Sequence, residues 1–198
     1  MPRKKAWSGS SRTRSPAAIS SGRPSPADLE AARAKRLRDV IAPGLKVLFC
    51  GINPGLYSAA TGNHFARPGN RFWPALHGAG FTPRRLHPSE KDLLLEAGYG
   101  LTNLVGRATA SADELAPDEL TSGRTRLAAK VRRYRPQIVA FLGMGAYRHA
   151  FGVPKATLGE QPERFEGARV WVLPSPSGLN ASYQMDALVT LLRELRRA

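Results

Sequence analysis

Leu45-Lys46-Val47-Leu48-Phe49-Cys50, followed at once by Gly51-Ile52-Asn53-Pro54-Gly55, is the stretch on which the reading of this chain turns. The first six residues make an apolar, β-rich run of the kind that forms a buried strand. The run stops at Gly-x-Asn-Pro-Gly. Pro54 fixes its own φ and moves Asn53 away from the helical region, while Gly51 and Gly55 permit tight turning or close approach of backbone to a ligand. The carboxyl end of a strand in an open α/β sheet is where ligands bind. One neutral amide, that of Asn53, is therefore presented there rather than packed away.

Outward from this strand, apolar runs and amphipathic segments alternate. Strands are expected at 45–50, 100–105, 137–142 and 169–173, the last reading Val170-Trp171-Val172-Leu173. Helices are expected at 26–40, where Ser25 precedes Pro26 as a cap, and at 70–77, 88–97, 117–133 and 183–197. Residues 56–68 read as a long loop. Strands separated by helices imply a three-layer α/β/α architecture with a central, mostly parallel four-stranded sheet. Three loops then converge on one sheet edge: the Asn53 loop, Gly143-Met144-Gly145, and Pro174-Ser175-Pro176-Ser177-Gly178-Leu179-Asn180.

Composition sets the bounds. At 198 residues the chain fits one domain, expected over 25–198, behind a basic tail at 1–24 that is rich in Ser, Pro and Gly, lacks Asp and Glu, and is expected to be disordered. Net charge is +15, and residues 1–38 alone hold ten Lys/Arg against Asp28 and Glu30. A positive field of that size favours nucleic acid through counterion release. No apolar stretch reaches the roughly 20 residues that span a bilayer, and no signal-peptide core is present, so no membrane partner and a cytoplasmic location are expected. The single cysteine, Cys50, excludes an internal disulfide and a four-cysteine metal site, and its place at the end of an apolar strand makes it a buried core thiol. The excess of Arg over Lys, 23 against 7, fits a GC-rich bacterial genome, and a bacterial, nucleoid-associated monomer is the expectation.

Other motifs read as structure. Gly143-x-Gly145 lacks the third glycine of a dinucleotide fingerprint, because Arg148 stands there, so tight strand-to-helix packing explains it better. Ser175 and Ser177 have no Gly-x-Ser-x-Gly elbow. His64, His77, His87 and His149 have no zinc-like spacing, and neither metal nor cofactor is expected; His64 alone lies in the Asn53 loop, where it can touch a substrate. Asp92 and Glu96 fit the exposed face of a helix. Leu179 follows Pro-Ser-Gly at a turn tip, where an apolar side chain either tucks into the core or serves as a wedge entering a base stack.

Three blocks taken together, Gly51-Ile52-Asn53-Pro54-Gly55-Leu56, Gly69-Asn70-Arg71-Phe72-Trp73 and Leu173-Pro174-Ser175-Pro176-Ser177-Gly178-Leu179, resemble the mismatch-specific uracil/thymine DNA glycosylases of the uracil-DNA glycosylase superfamily. The likeness runs from about Ile41 to Arg193. It implies that Asn53 is the catalytic asparagine, which positions the water that attacks C1′ of a flipped deoxyribose. It implies that Phe65 stacks on the extruded base, that Ile52 and Tyr57 shape the pocket, and that Ser175 contacts the base where an asparagine is common in the family. It further implies that Leu179 fills the hole in the duplex while Ser177 and Gly178 read the widowed guanine. Ala181 replaces a commonly larger polar residue after the wedge. The substrate so implied is double-stranded DNA with a G/U or G/T mismatch, cut by a monofunctional enzyme. Two other classes stay open at this point: a non-catalytic DNA-binding module, and a nucleotide-using α/β enzyme with Gly143-x-Gly145 on phosphate.

Overall fold

The computed structural model describes residues 23–198 other than Leu179 and Ala181. Most of the basic tail, the wedge candidate Leu179 and the departure at Ala181 therefore lie outside the described residues. The sheet has five strands, β1 (Val47–Gly51), β2 (Tyr99–Asn103), β3 (Ile138–Leu142), β4 (Gly159–Phe165) and β5 (Ala168–Leu173), in the order β2-β1-β3-β5-β4. All neighbours are parallel except β4, which runs antiparallel to β5. The expected sheet of four strands is thus one short. β4 reads Gly-Glu-Gln-Pro-Glu-Arg-Phe and buries only Gln161 and Phe165 fully, so it carries no apolar run to betray it. What makes it a strand is its hairpin to β5, turned at Glu166 (φ 51°) and Gly167 (φ 86°), both left-handed as a two-residue hairpin turn requires. Its Pro162 is tolerated on an edge strand.

Among the described residues seven α-helices accompany the strands: α1 (Pro26–Ala31), α2 (Leu56–Thr61), α3 (Phe72–Gly78), α4 (Lys91–Glu96), α5 (Pro117–Tyr134), α6 (Met144–Phe151) and α7 (Met185–Arg197). Alternate strand residues point to opposite faces. Phe49, Leu101, Ala140 and Trp171 pack with Phe72, Leu76, Leu94 and Leu192, so α3, α4 and α7 cover one face. Cys50, Val139, Phe141 and Val172 pack with Leu127, Val131 and Tyr147 on the other, under α5 and α6. This is the α/β/α sandwich expected from the alternation.

Two expected spans change. The helix expected over 26–40 ends at Ala31, passes through a 3₁₀ turn at Ala32–Ala34, and continues as an extended strap. Val40 there exchanges both backbone hydrogen bonds with Leu101 (2.9 and 2.7 Å), so pairing with the β2 edge outweighs local helix propensity. The loop expected after Gly55 contains α2, which is closed by Gly62 in the left-handed conformation.

Sheet order places the site. The chain leaves β1 toward β2 on one side and reaches β3 on the other. The crevice between the carboxyl ends of β1 and β3 is the topological switch point at which open sheets bind ligands.

Candidate active site

A cavity of about 330 Å³ opens at that crevice, lined by Gly51 and the Asn53 turn, Leu142, Asn103 and the loop from Ser175. The volume suits a small ligand. The Asn53 turn is laced to the segment that follows β2: Leu104 N–H donates to Gly51 O and Val105 N–H to Ile52 O (both 2.9 Å), while Thr109 N–H donates to Pro54 O (3.1 Å). The same segment orients the side chain. Asn53 Nδ2 donates to Arg107 O at 2.9 Å and to Thr109 Oγ1 at 2.6 Å. Thr109 Oγ1 gives its own proton to Ser111 O (2.7 Å), so toward Asn53 it can only accept. Both amide hydrogens of Asn53 are therefore used, and among the described residues Oδ1 accepts nothing. An Asn fixed in this way offers an acceptor on the cavity wall.

The segment is itself braced. Arg107 pairs with Glu119 of α5 at 2.8 Å, and that hydrogen-bonded guanidinium holds the Glu119 carboxyl down at about 2. Glu114 Oε1 accepts from Ala110 N–H and Ser111 N–H.

Phe65, His64 and Asn103 line the same cavity. Phe65 has φ 53°, uncommon for a bulky residue, and its ring stacks on Phe72 with centroids 4.2 Å apart. That posture sets the ring beside Gly51, where an added Cβ would lie 3.3 Å from Phe65 and 2.6 Å from Asn103 Oδ1. Close approach, not turning, is the reason for glycine at 51. His64 is 2% exposed, and burial pushes its imidazole down to about 4. It is therefore neutral at ordinary pH. Its Nε2 donates to Arg38 O at 2.9 Å, which leaves Nδ1 to accept from Asn103 Nδ2 at 3.5 Å. The strap carbonyl thereby sets the tautomer of His64, and His64 sets the orientation of the Asn103 amide.

The third wall is the loop after β5. Asn180 Nδ2 donates to Ser175 O at 3.0 Å, and Ser177 N–H to Ser175 Oγ at 3.4 Å, so the loop folds on itself. Arg71 ties it to the start of α3. Its guanidinium donates to the carbonyl oxygens of Ser177 (2.9 Å), Asn180 (2.8 Å) and Tyr183, and its backbone N–H donates to Pro176 O (2.9 Å). Gly178 lies so close to Gly69 that a Cβ there would stand 2.8 Å from Gly69 O.

Of the sequence candidates, Ile52, Asn53, Phe65, Ser175 and Ser177 line the cavity together with His64. Tyr57 does not; its neighbour on α2, Ser58, does, and accepts from Ala66 N–H (3.2 Å). Asp92 and Glu96 sit exposed on α4, away from the cavity, and the carboxylate that lines it is Asp113. Gly143 has φ 144° and a Cβ there would meet Ile52 at 2.8 Å, so tight packing accounts for that glycine, whereas Gly145 has open space. Cys50 is a buried thiol whose burial pushes its pKa up. Sequence reasoning missed Asn103, Thr109 and Arg71. Only the Gly69–Trp73 block carried any signal for Arg71; Asn103 and Thr109 gave none, because their partners are distant in the chain.

Residues 38–196 match the family model of the uracil DNA glycosylase superfamily. The chain belongs to the uracil-DNA glycosylase superfamily. Members of the superfamily are DNA glycosylases, and membership supports that activity and action on DNA here. A solved structure with the same fold is the solution NMR structure of a Methanosarcina acetivorans protein provisionally described as a uracil DNA glycosylase. It is 18% identical, with a TM-score of 0.55, and the match covers 82% of this chain and 98% of that one. Among the described residues no helix is long and apolar enough to cross a membrane.

Proposed function

We propose that the chain is a monofunctional G/U mismatch DNA glycosylase that also accepts G/T, flips the base and hydrolyses its N-glycosidic bond with a water held by Asn53. The observation that carries this reading is the Asn53 amide, whose two hydrogens are committed to Arg107 O and Thr109 Oγ1 while Oδ1 is left to accept. A neutral amide is a poor base, but a fixed acceptor orients a water toward C1′. The rate then comes from positioning and from polar groups that face the departing base anion. Phe65 stacks on the extruded ring, Ile52 shapes the cavity floor and Ser175 contacts the base. Leu179 fills the vacated stack, while Ser177 and Gly178 face the widowed guanine. A mismatched base is the least costly to extrude, which favours G/U and G/T over paired DNA. Tyr57, placed outside the cavity, acts at most through α2.

The test is a side-by-side panel of G/U, G/T, A/U and single-stranded uracil oligonucleotides, scored by alkaline cleavage at the abasic site, with borohydride present in a parallel set. Excision fastest at G/U and no borohydride-trapped adduct are expected. Asn53→Ala should slow excision by roughly 10²-fold, with a lowered but still cooperative melting transition and with G/U duplex still bound. Tight binding of G/U duplex without any abasic product would instead identify a binding module.

A further inference from the structure

A second cleft, of about 800 Å³, lies beside the base cavity between the strap at 33–39 and α5, and meets that cavity at Leu37 and Asn103, which line both. The strap reads Arg33-Ala34-Lys35-Arg36-Leu37-Arg38-Asp39. Its backbone is pinned along its length. Arg36 bridges Arg107, Arg38 O accepts from His64, and Val40 pairs with Leu101. Asp39 accepts from Thr102 Oγ1 at 2.7 Å and pairs with Lys130 at 2.6 Å.

Pinning the backbone fixes where the charges stand. Three of the cleft's cations are already neutralised locally: Lys130 by Asp39, Arg107 by Glu119, and Arg33 by Glu114 at 3.0 Å. Lys35, Arg36 and Arg38 are exposed and, among the described residues, form no ion pair; nor does Arg126 on the opposite wall. Of the carboxylates lining the cleft, Asp118 alone is unpaired. Val40 of this strap packs into the core, whereas these four cations make no direct ion pair, Lys35 acting only at a distance on Asp28 and Arg126 on Glu119. An open cleft whose unpaired positive charge stands on the strap, with Arg126 and Asp118 across from it on α5, is net positive and attracts an anion, and the length of the strap spreads that charge over several sites instead of one. A single phosphate would leave most of it unused.

We infer that this cleft takes the phosphodiester backbone of the DNA flanking the target nucleotide, on one side of the lesion only. The inference rests on the glycosylase reading for the identity of the DNA. The strap wall is common to both sites, so a strand whose base enters the cavity at Asn103 continues past Leu37 into the cleft. The cleft lies to one side of the cavity, so the contact is directional, unlike the uniform attraction of a basic surface.

The experiment uses the full chain and two G/U hairpin duplexes. In one, the paired DNA extends only 5′ of the uracil; in the other, only 3′. Affinity is measured by anisotropy across a salt series for wild type, for Arg36→Ser/Arg38→Ser, and for Arg126→Ser on the opposite wall, with melting temperatures as the check on folding. Each lost phosphate contact lowers the slope of log K against log salt by about 0.9. The double variant should lose about 1.8 from that slope on one hairpin and nothing on the other. Arg126→Ser should lower the slope on the same hairpin. Equal losses on both hairpins, or none on either, would overturn the cleft. If wild type excises no uracil yet the one-sided loss appears, the glycosylase reading fails and the cleft stands.

Discussion

Asn53, on the cavity wall, has both amide hydrogens committed to protein acceptors, and the side chain that holds one of them is Thr109. Because the Thr109 hydroxyl donates to Ser111 O, it can only accept from Asn53. Thr109→Val removes that acceptor and lets the amide turn. Excision should slow about tenfold, the scale of one hydrogen bond, with KM for the duplex little changed and Thr109→Ser restoring the rate. His64 gives a second prediction at this scale. In the unfolded chain its imidazole titrates near 6.5, whereas burial in the fold holds it to about 4. The unfolded state therefore binds the extra proton as pH falls between those values, and stability, complete above 6.5, declines through that window. The loss should approach about 3 kcal/mol below pH 4, measured by denaturant unfolding at several pH values. A protonated Nδ1 would also face the Asn103 amide hydrogens, donor against donor. His64→Gln keeps a donor for Arg38 O and should flatten this part of the pH profile.

At the scale of elements, the segment that leads into α3 is joined to the loop after β5 chiefly through Arg71. Arg71 satisfies three carbonyls of that loop, on both sides of Leu179, and its own backbone binds a fourth. Replacing it strands those carbonyls and frees the loop that carries the wedge candidate. Arg71→Ala should reduce excision from G/U duplex by about 10²-fold, and excision from single-stranded uracil, which needs no wedge, far less. Arg71→Lys, with one ammonium in place of a planar fork, should recover only part of the loss. A uniform fall on both substrates would assign Arg71 to general stability instead. The Gly69–Gly178 contact points the same way, since the two loops approach too closely for a Cβ.

At the scale of the whole molecule, charge governs encounter with DNA and sheet order governs what happens there. The segment 1–24 holds six Lys/Arg and no carboxylate. Deleting it should flatten the salt dependence of binding to any duplex, matched or mismatched, and leave excision at saturation unchanged. That symmetric effect is separable from the one-sided effect of Arg36 and Arg38. Much was legible in the chain itself: the apolar run into Gly51–Gly55, the alternation that dictates an α/β/α sandwich, and the loops at 53, 143 and 175 converging on one edge. Those features are local, because strand burial, turn chemistry and amphipathic period are written in adjacent residues. β4 was not legible, since its hairpin partner, and not its own polarity, makes it a strand. Nor was the end of α1 at Ala31, where the β2 edge offers Val40 better hydrogen bonds than a helix would. The sequence by itself determined which amide stands at the strand end. Only the tertiary structure decided which way that amide points, because its partners at Arg107 and Thr109 lie 54 and 56 residues further along the chain.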